Sequence, residues 1–452
     1  MYAAIAGLRT HMQNLNVIGN NIANVNTAGY KSARAVFRTS IYTTLTGGSN
    51  GTATTGGVNP SQIGYGANMG TIDIDMSTGN YSITGKPTDC MIDGEGFFLV
   101  GTKTIPQNFK GNANDLSLFS SLTLTRVGDF DFMPDGYLSK NDSGDVVYGF
   151  LCVGVVTEEN ITEHPGKKVG DAIFSDQLVP IRTPRVWRGA DGSMNIGYPK
   201  AGGGIDDADN NKIYQGPDAD GAGDGGAAGG GGTVDEDTQA AIDMANRHLM
   251  DYGSYYDPAT QEVVESPYEH GYFSNITINP NTGVITANCR DLDDAVITIG
   301  CLAIGTVTNP NGVTQIGNSM YKAGQGSGDL KISALGGAGK DMGIYYVNGS
   351  LAYDPDNPAT NYVPGMANMP ADAVSNAEVD NDGKVTSGYY VIDGARLLSG
   401  DAKILTNGLE MSKTDLAQEI ANMIVTQRGY QANTRIITVT DSMLEELVNM
   451  KR

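Results

Sequence analysis

No run of eighteen apolar residues occurs in this 452-residue chain, so no helix is expected to span a membrane. The start also lacks the basic stretch, apolar segment and small-residue cleavage site of a secretory signal. Residence in the cytoplasm and export without a cleaved signal therefore both fit. Acid is missing from residues 1–72, which contain no Asp or Glu and carry Arg9, Lys31, Arg34 and Arg38. Residues 401–452 are near neutral, with seven acids against six bases. The net charge of −22 thus falls on the middle of the chain, and it argues against a nucleic-acid partner. An acidic, solvated body carried by low-charge ends suits self-association through those ends.

Cysteine is scarce, and Cys90, Cys152, Cys289 and Cys301 show no metal-ligand spacing. Cys289 and Cys301 flank an expected hairpin, which leaves a disulfide and buried free thiols both open. His11, His164, His248 and His270 stand singly, none beside a Ser or Cys in a nucleophile motif. Gly94-Glu95-Gly96 lacks the third Gly and the helix of a dinucleotide loop. Asp380-Asn381-Asp382-Gly383 resembles part of a calcium loop, but counting from Glu378 the twelfth position is Tyr389, not Glu. The Asp/Gly tract at 216–225 has no nonapeptide period. No catalytic residue, cofactor or metal is expected, and the chain does not read as an enzyme.

What is present is a pair of apolar stripes, one at each end. Ile5, Leu8, Met12, Leu15 and Ile22 fall on heptad positions, with Gly19 in the remaining slot. Leu416, Ile420, Met423, Tyr430, Ile437, Leu444 and Val448 repeat that spacing. Such a seam needs a partner helix, either the other terminus or a further copy of the chain. Six Asn lie between residues 14 and 26; their amides become useful if they hydrogen-bond across a packed interface. Gln427, Thr434 and Asp441 form a polar seam position that could fix register or could face water. The N-terminal helix is predicted over 3–25, stopped by a left-handed turn at Gly29. The C-terminal helix is predicted to open at Ser412, with Asp415 three residues on in a capping-box arrangement, and to run to about Met450.

Between the ends the period changes. Ile72, Ile74 and Met76 alternate with Asp73 and Asp75, and Phe130 and Phe132 with Asp129 and Asp131. Phe97–Val100 reads as a buried strand, and strands return at 276–278, 284–286 and 296–299. The fold class expected is mixed α+β, with terminal helices pairing as a coiled coil around β-rich central domains. Residues 1–45 with 400–452 form the helical polymerisation domain, and 68–155 with 272–328 a β-rich inner body. Residues 156–271 form an outer variable domain, whose Gly/Asp-rich segment 200–236 reads as a surface loop. Residues 329–399 are an insertion of unknown fold.

The run NLNVIGNNIANVNTAGYK at 14–31 closely resembles the "NL-x-VIGNNIAN-x-x-T-x-GFK" signature of bacterial flagellar rod and hook proteins, with Tyr30 for Phe. NGLEMSKTDLAQEIANMIVTQRGYQAN at 407–433 is similar to the matching end of that family, "LE-x-SNVDL…E…MI-x-xQR-x-Y-x-AN". GKPTDCMIDGEGFFL at 85–99, LTRVGDFDFMPDGYL at 124–138 and CLAIGTVTNPNGVTQIGNSMY at 301–321 resemble its body motifs. The VIGNN wording and the chain length favour the hook branch. The resemblance implies a homopolymeric structural subunit that leaves the cell through the flagellar type III export apparatus. It implies rod, hook-cap and hook–filament junction proteins as partners, and a place in the hook and basal body. It also implies terminal helices on the inner wall of a tube that joins rod to filament and transmits torque. The assembly residues expected are Leu8, Met12, Leu15, Ile22, Leu416, Ile420, Met423, Tyr430, Ile437 and Leu444. A distal rod or junction protein remains the alternative, with a secreted calcium-stabilised adhesin a third reading.

Overall fold

The computed structural model describes residues 2–51, 56–103, 122–158, 168–175, 178–188, 194–198, 211–215, 254–257, 262–265, 269–292, 294–324, 326–335, 343–347, 374–379, 385–391 and 402–450. The chain has an N-terminal and a C-terminal helix around a β-rich middle. It forms two compact units, Met1–Asn80 with Met411–Arg452, and Tyr81–Glu410. Among the described residues no helix is long and apolar enough to cross a membrane.

The terminal unit contains both helices, α1 (Tyr2–Ala23) and α2 (Leu416–Met450). Between them runs one long bent hairpin. Strand β1 (Ala33–Thr39) continues into β2 (Tyr42–Thr46), and the return leg is β3 (Ser61–Gly64) and β4 (Ala67–Ile74). β1 pairs antiparallel with β4, and β2 with β3. Strand 67–74, expected to open the β-rich body, therefore pairs with 33–39 inside the terminal unit. Helix α1 ends at Ala23, and the turn that follows reaches Gly29, whose φ of +65° is the left-handed conformation expected there. The cap of α2 differs from expectation. Asp415, not Ser412, accepts from the backbone N–H of Ala417 and Gln418, so the helix starts three residues later. Ser412 Oγ instead accepts from the Thr414 N–H.

In the second unit the strand Ala295–Val307 is the hub. It pairs with Val146–Val155, Phe97–Gly101, Val284–Cys289 and Leu330–Ala334, all antiparallel. Phe98, Val100, Val147, Ile285, Ile299 and Ile304 of these strands, with Phe130 and Leu138 of the short strands Phe130–Phe132 and Leu138–Lys140, form the main core. Short strands at 172–174 and 179–180 add to Val146–Val155. Arg185–Arg188, Met194–Tyr198, Asn211–Gln215 and Glu269–His270 make a separate four-stranded sheet. Part of the segment expected as loop, 211–215, is thus a strand. The rest of 200–236 lies outside the described residues, as do His164, His248 and the loop 380–383.

The insertion 329–399 contributes strands to the large sheet. Leu330–Ala334 lies beside 303–307, and Gly343–Val347, Val385–Val391 and Val374–Val379 follow outward. All four cysteines are buried free thiols. The hairpin register explains why Cys289 and Cys301 do not bond: Cys289 faces Ala295, and Cys301 faces Val284. Burial pushes the Cys301 thiol up to about 12.

Candidate assembly interface

Helices α1 and α2 pack side by side and antiparallel. A Cβ added at Gly7 would stand 2.7 Å from Asn433 Nδ2, and one at Gly429 would stand 2.8 Å from His11 Cε1. Asn14 Nδ2 donates to Thr426 Oγ1 at 3.0 Å. Farther along, Glu419 lies close enough to Asn21 for the amide to favour its charged form. Each step up α1 is a step down α2, which fixes the direction. The contact face is Gly7, His11, Asn14 and Asn21 against Asn433, Gly429, Thr426 and Glu419. Two glycines let the backbones approach, and small polar groups fill the remaining space.

This face lies one residue away from the apolar stripe on both helices. On α1, Leu8, Leu15 and Ile22 are half-buried beside it, and Met12 is exposed. On α2, Met423 and Ile437 are half-buried, while Leu416, Ile420, Tyr430 and Leu444 are exposed. A one-residue step turns a helix by about 100°; on α2 that offset narrows by about 20° per heptad and closes near Leu444. The expected stripe therefore flanks the contact between the helices over most of its length, and half of its members are exposed. The polar positions Gln427, Thr434 and Asp441 are likewise exposed, one residue from Thr426 and Asn433.

Asn21 ties α1 to the hairpin. It is 1% exposed; its amide donates to the Ala33 carbonyl at 2.8 Å, and its Oδ1 accepts from the Ala33 N–H at 2.9 Å. The Tyr30 hydroxyl donates to the same Oδ1 at 3.0 Å, and Asn20 Nδ2 donates to the Tyr30 oxygen. Burial raises the Glu419 carboxyl above its ordinary range; the Asn21 amide opposes the rise and Asp415 adds to it. Lys31 is buried, with Nζ donating to the Ser77 carbonyl at 2.8 Å. Lys413 Nζ donates to Ser77 Oγ at 2.7 Å, and Asp75 Oδ1 accepts from the Ser77 N–H. The Asp75–Ser77 turn thereby holds lysines from both ends of the chain. Hydrogen bonds from Ser77 keep Asp75 below the usual carboxylate range.

In the second unit, Arg126 and Glu410 form a buried ion pair, 3.7 Å apart and 2% and 1% exposed. Arg126 also donates to the carbonyls of Ile92 at 3.2 Å and Gly94 at 2.9 Å. Sequence spacing marked neither residue, because some 280 residues separate them. Nor did it single out Asn21 among its neighbours.

The residues in these contacts coincide with what the chain shares with known proteins. A family model described as flagella basal body rod protein matches residues 1–31. Another, described as flagellar basal body rod FlgEFG protein C-terminal, matches residues 406–450. The flagellar hook protein FlgE of Borreliella burgdorferi is 26% identical across 100% of this chain and 99% of its own length. That of Salmonella typhimurium is 25% identical across 99% of each. The flagellar basal-body rod protein FlgG of Bacillus subtilis is 24% identical across 100% of this chain and 98% of its own. With Gly7, Asn14, Asn21 and Lys31 inside one matched region and Glu410, Thr426, Gly429 and Asn433 inside the other, the chain carries both end regions of the flagellar rod proteins and is similar over its whole length to flagellar hook and rod proteins.

Proposed function

We infer that this chain is the structural subunit of a flagellar hook, copies of which assemble into the tubular joint between rod and filament. Full-length similarity to hook proteins carries the reading, and the exposed stripe of the terminal unit supports it. A soluble domain with no partner would bury Leu416, Ile420, Tyr430 and Leu444; a polymer subunit keeps them for its neighbours. The helices pair as a short antiparallel coiled coil, supported by contacts at 7, 11, 14 and 21 that step by four, three and then a full heptad. The two flanking stripes, Leu8, Met12, Leu15 and Ile22 with Leu416, Ile420, Met423, Tyr430, Ile437 and Leu444, are the surfaces between copies.

The tube bends and transmits torque because its tight contacts lie along the helices, while the acidic β-rich parts repel one another and slide. Rod, hook-cap and junction proteins meet the same terminal surfaces, and subunits arrive through the type III export apparatus. Immunogold labelling of isolated hook–basal bodies with antibody to this chain tests the assignment. Gold along the curved segment between rod and filament supports it. Gold confined to the rod would favour the rod-protein alternative, which the similarity to FlgG keeps in view.

A further inference from the structure

Helix α2 is much longer than α1, and the register of the pair decides where the excess falls. Gly7 lies against Asn433 and α1 begins at Tyr2, so α2 runs on past the start of α1. Residues 441–450 are all exposed. Ten residues extend about 15 Å. Leu447 is 57%, Val448 65% and Met450 77% exposed.

The overhang has a defined face. Leu444, Leu447 and Val448 are spaced i, i+3, i+4 and lie on one side. That side carries on, in helical phase, from Glu419, Thr426 and Asn433, the residues that meet α1. Asp441 and Glu445 flank it one turn apart. The surface that receives α1 thus continues past the level of Tyr2, where α1 begins.

A groove of about 600 Å³ lies on the far side of α1, lined by Tyr2, Ile5, Ala6, Arg9, Gln13 and Met69 among others. Its α1 residues face roughly opposite the helix side that meets α2. The groove is mixed in character, with Thr10, Gln13 and Asn68 beside Ile5, Ala6 and Met69, and it holds one cation, Arg9, in a segment, residues 1–72, that has no acidic residue.

Building on the hook-subunit reading, we propose that the α2 overhang of one copy docks into the α1 groove of the next. Leu444, Leu447 and Val448 cover Ile5, Ala6 and Met69, and the Asp441/Glu445 flank reaches Arg9. Each α1 is then held between its own α2 and a neighbour's. Overhang and groove are different surfaces of the same chain, so the contact is head-to-tail and propagates rather than closing into a dimer.

The test uses the full chain, expressed in cells lacking the native gene. Arg9→Glu alone and Glu445→Arg alone should each abolish hooks, and the two together should restore them. Normal hooks from both single variants would overturn the docking. If the pair fails to restore hooks, a Tyr2→Cys/Leu447→Cys chain decides, since the four native thiols are buried. Mild oxidation should give a ladder of covalent multimers from assembled protein and none from monomer; absence of the ladder overturns the proposal. Hooks that form from this chain without a ladder would refute only the docking, whereas unaltered hooks in cells lacking the gene would refute the hook reading itself.

Discussion

Replacing Asn21 by Ala removes three hydrogen bonds from one buried point: two to the Ala33 backbone and one from the Tyr30 hydroxyl. Each is worth about 1 kcal/mol net, and a buried donor or acceptor left unpaired adds about 1–3 kcal/mol more. The Ala33 N–H and carbonyl both lose their partner, but Ala33 is only half-buried and water can replace most of it, so the loss should reach about 3–5 kcal/mol. Against a total stability of about 5–15 kcal/mol, that is enough to detach α1 from the hairpin. Asn21→Asp sharpens the test because it is nearly isosteric. It keeps the acceptor for Ala33 N–H and Tyr30 but loses the donor to the Ala33 carbonyl. It also sets a carboxylate beside Glu419 and near the negative end of the α1 dipole. At neutral pH the Asp variant should be at least as unstable as the Ala variant. It should regain stability as acid protonates one carboxyl of the new pair. Hydrogen exchange of the α1 and β1 amides reads both outcomes without requiring assembly. Unchanged protection in Asn21→Ala, or an Asp variant equal to wild type at neutral pH, would refute the pinning role.

Three further outcomes are expected. Ile420→Asp, at an exposed position, should cost the isolated chain no more than about 0.5 kcal/mol and leave its thermal transition unmoved, yet prevent polymer formation; normal polymers would remove Ile420 from the interface. Arg126→Met should destabilise the Tyr81–Glu410 unit by about 3–5 kcal/mol in denaturant titration, and a second change, Glu410→Leu, should recover much of that, because a lone buried charge costs more than a missing pair. Burial, with Asp129 nearby, raises the Asp89 carboxyl above its ordinary range. A carboxyl raised in the folded state adds stability that is fully present below its unfolded value and lost as pH rises through its folded value. Asp89→Asn should therefore flatten the fall in stability on going from acid to neutral pH, and an unchanged slope would remove Asp89 as its source.

The terminal helices were legible because heptad spacing is local, and their lengths came out nearly as expected. Their phase did not. A stripe is found by counting large apolar residues, whereas these two helices touch through Gly7, Gly429, Asn14, Thr426 and Asn433. Close backbone approach favours small residues, and such positions carry no hydrophobic signal. The Asn cluster did signal interface chemistry, but only the fold selects Asn21 as the buried member. The cap moved from Ser412 to Asp415 because both residue types accept from helix N–H groups, and sequence alone does not rank them. The sheet was legible strand by strand at 97–100, 130–132 and 284–299. Its wider order was not, since 330–334 joins 303–307 through pairing that no local pattern encodes. The same holds for the cysteines, whose bonding was decided by a register of one hairpin.

The central claim is that this chain builds the hook. Electron microscopy of hook–basal bodies from cells lacking its gene tests that most directly. Complete rods that end without a curved segment are expected, with hooks restored when the gene is returned. Hooks of normal length and curvature in the absence of this chain would contradict it.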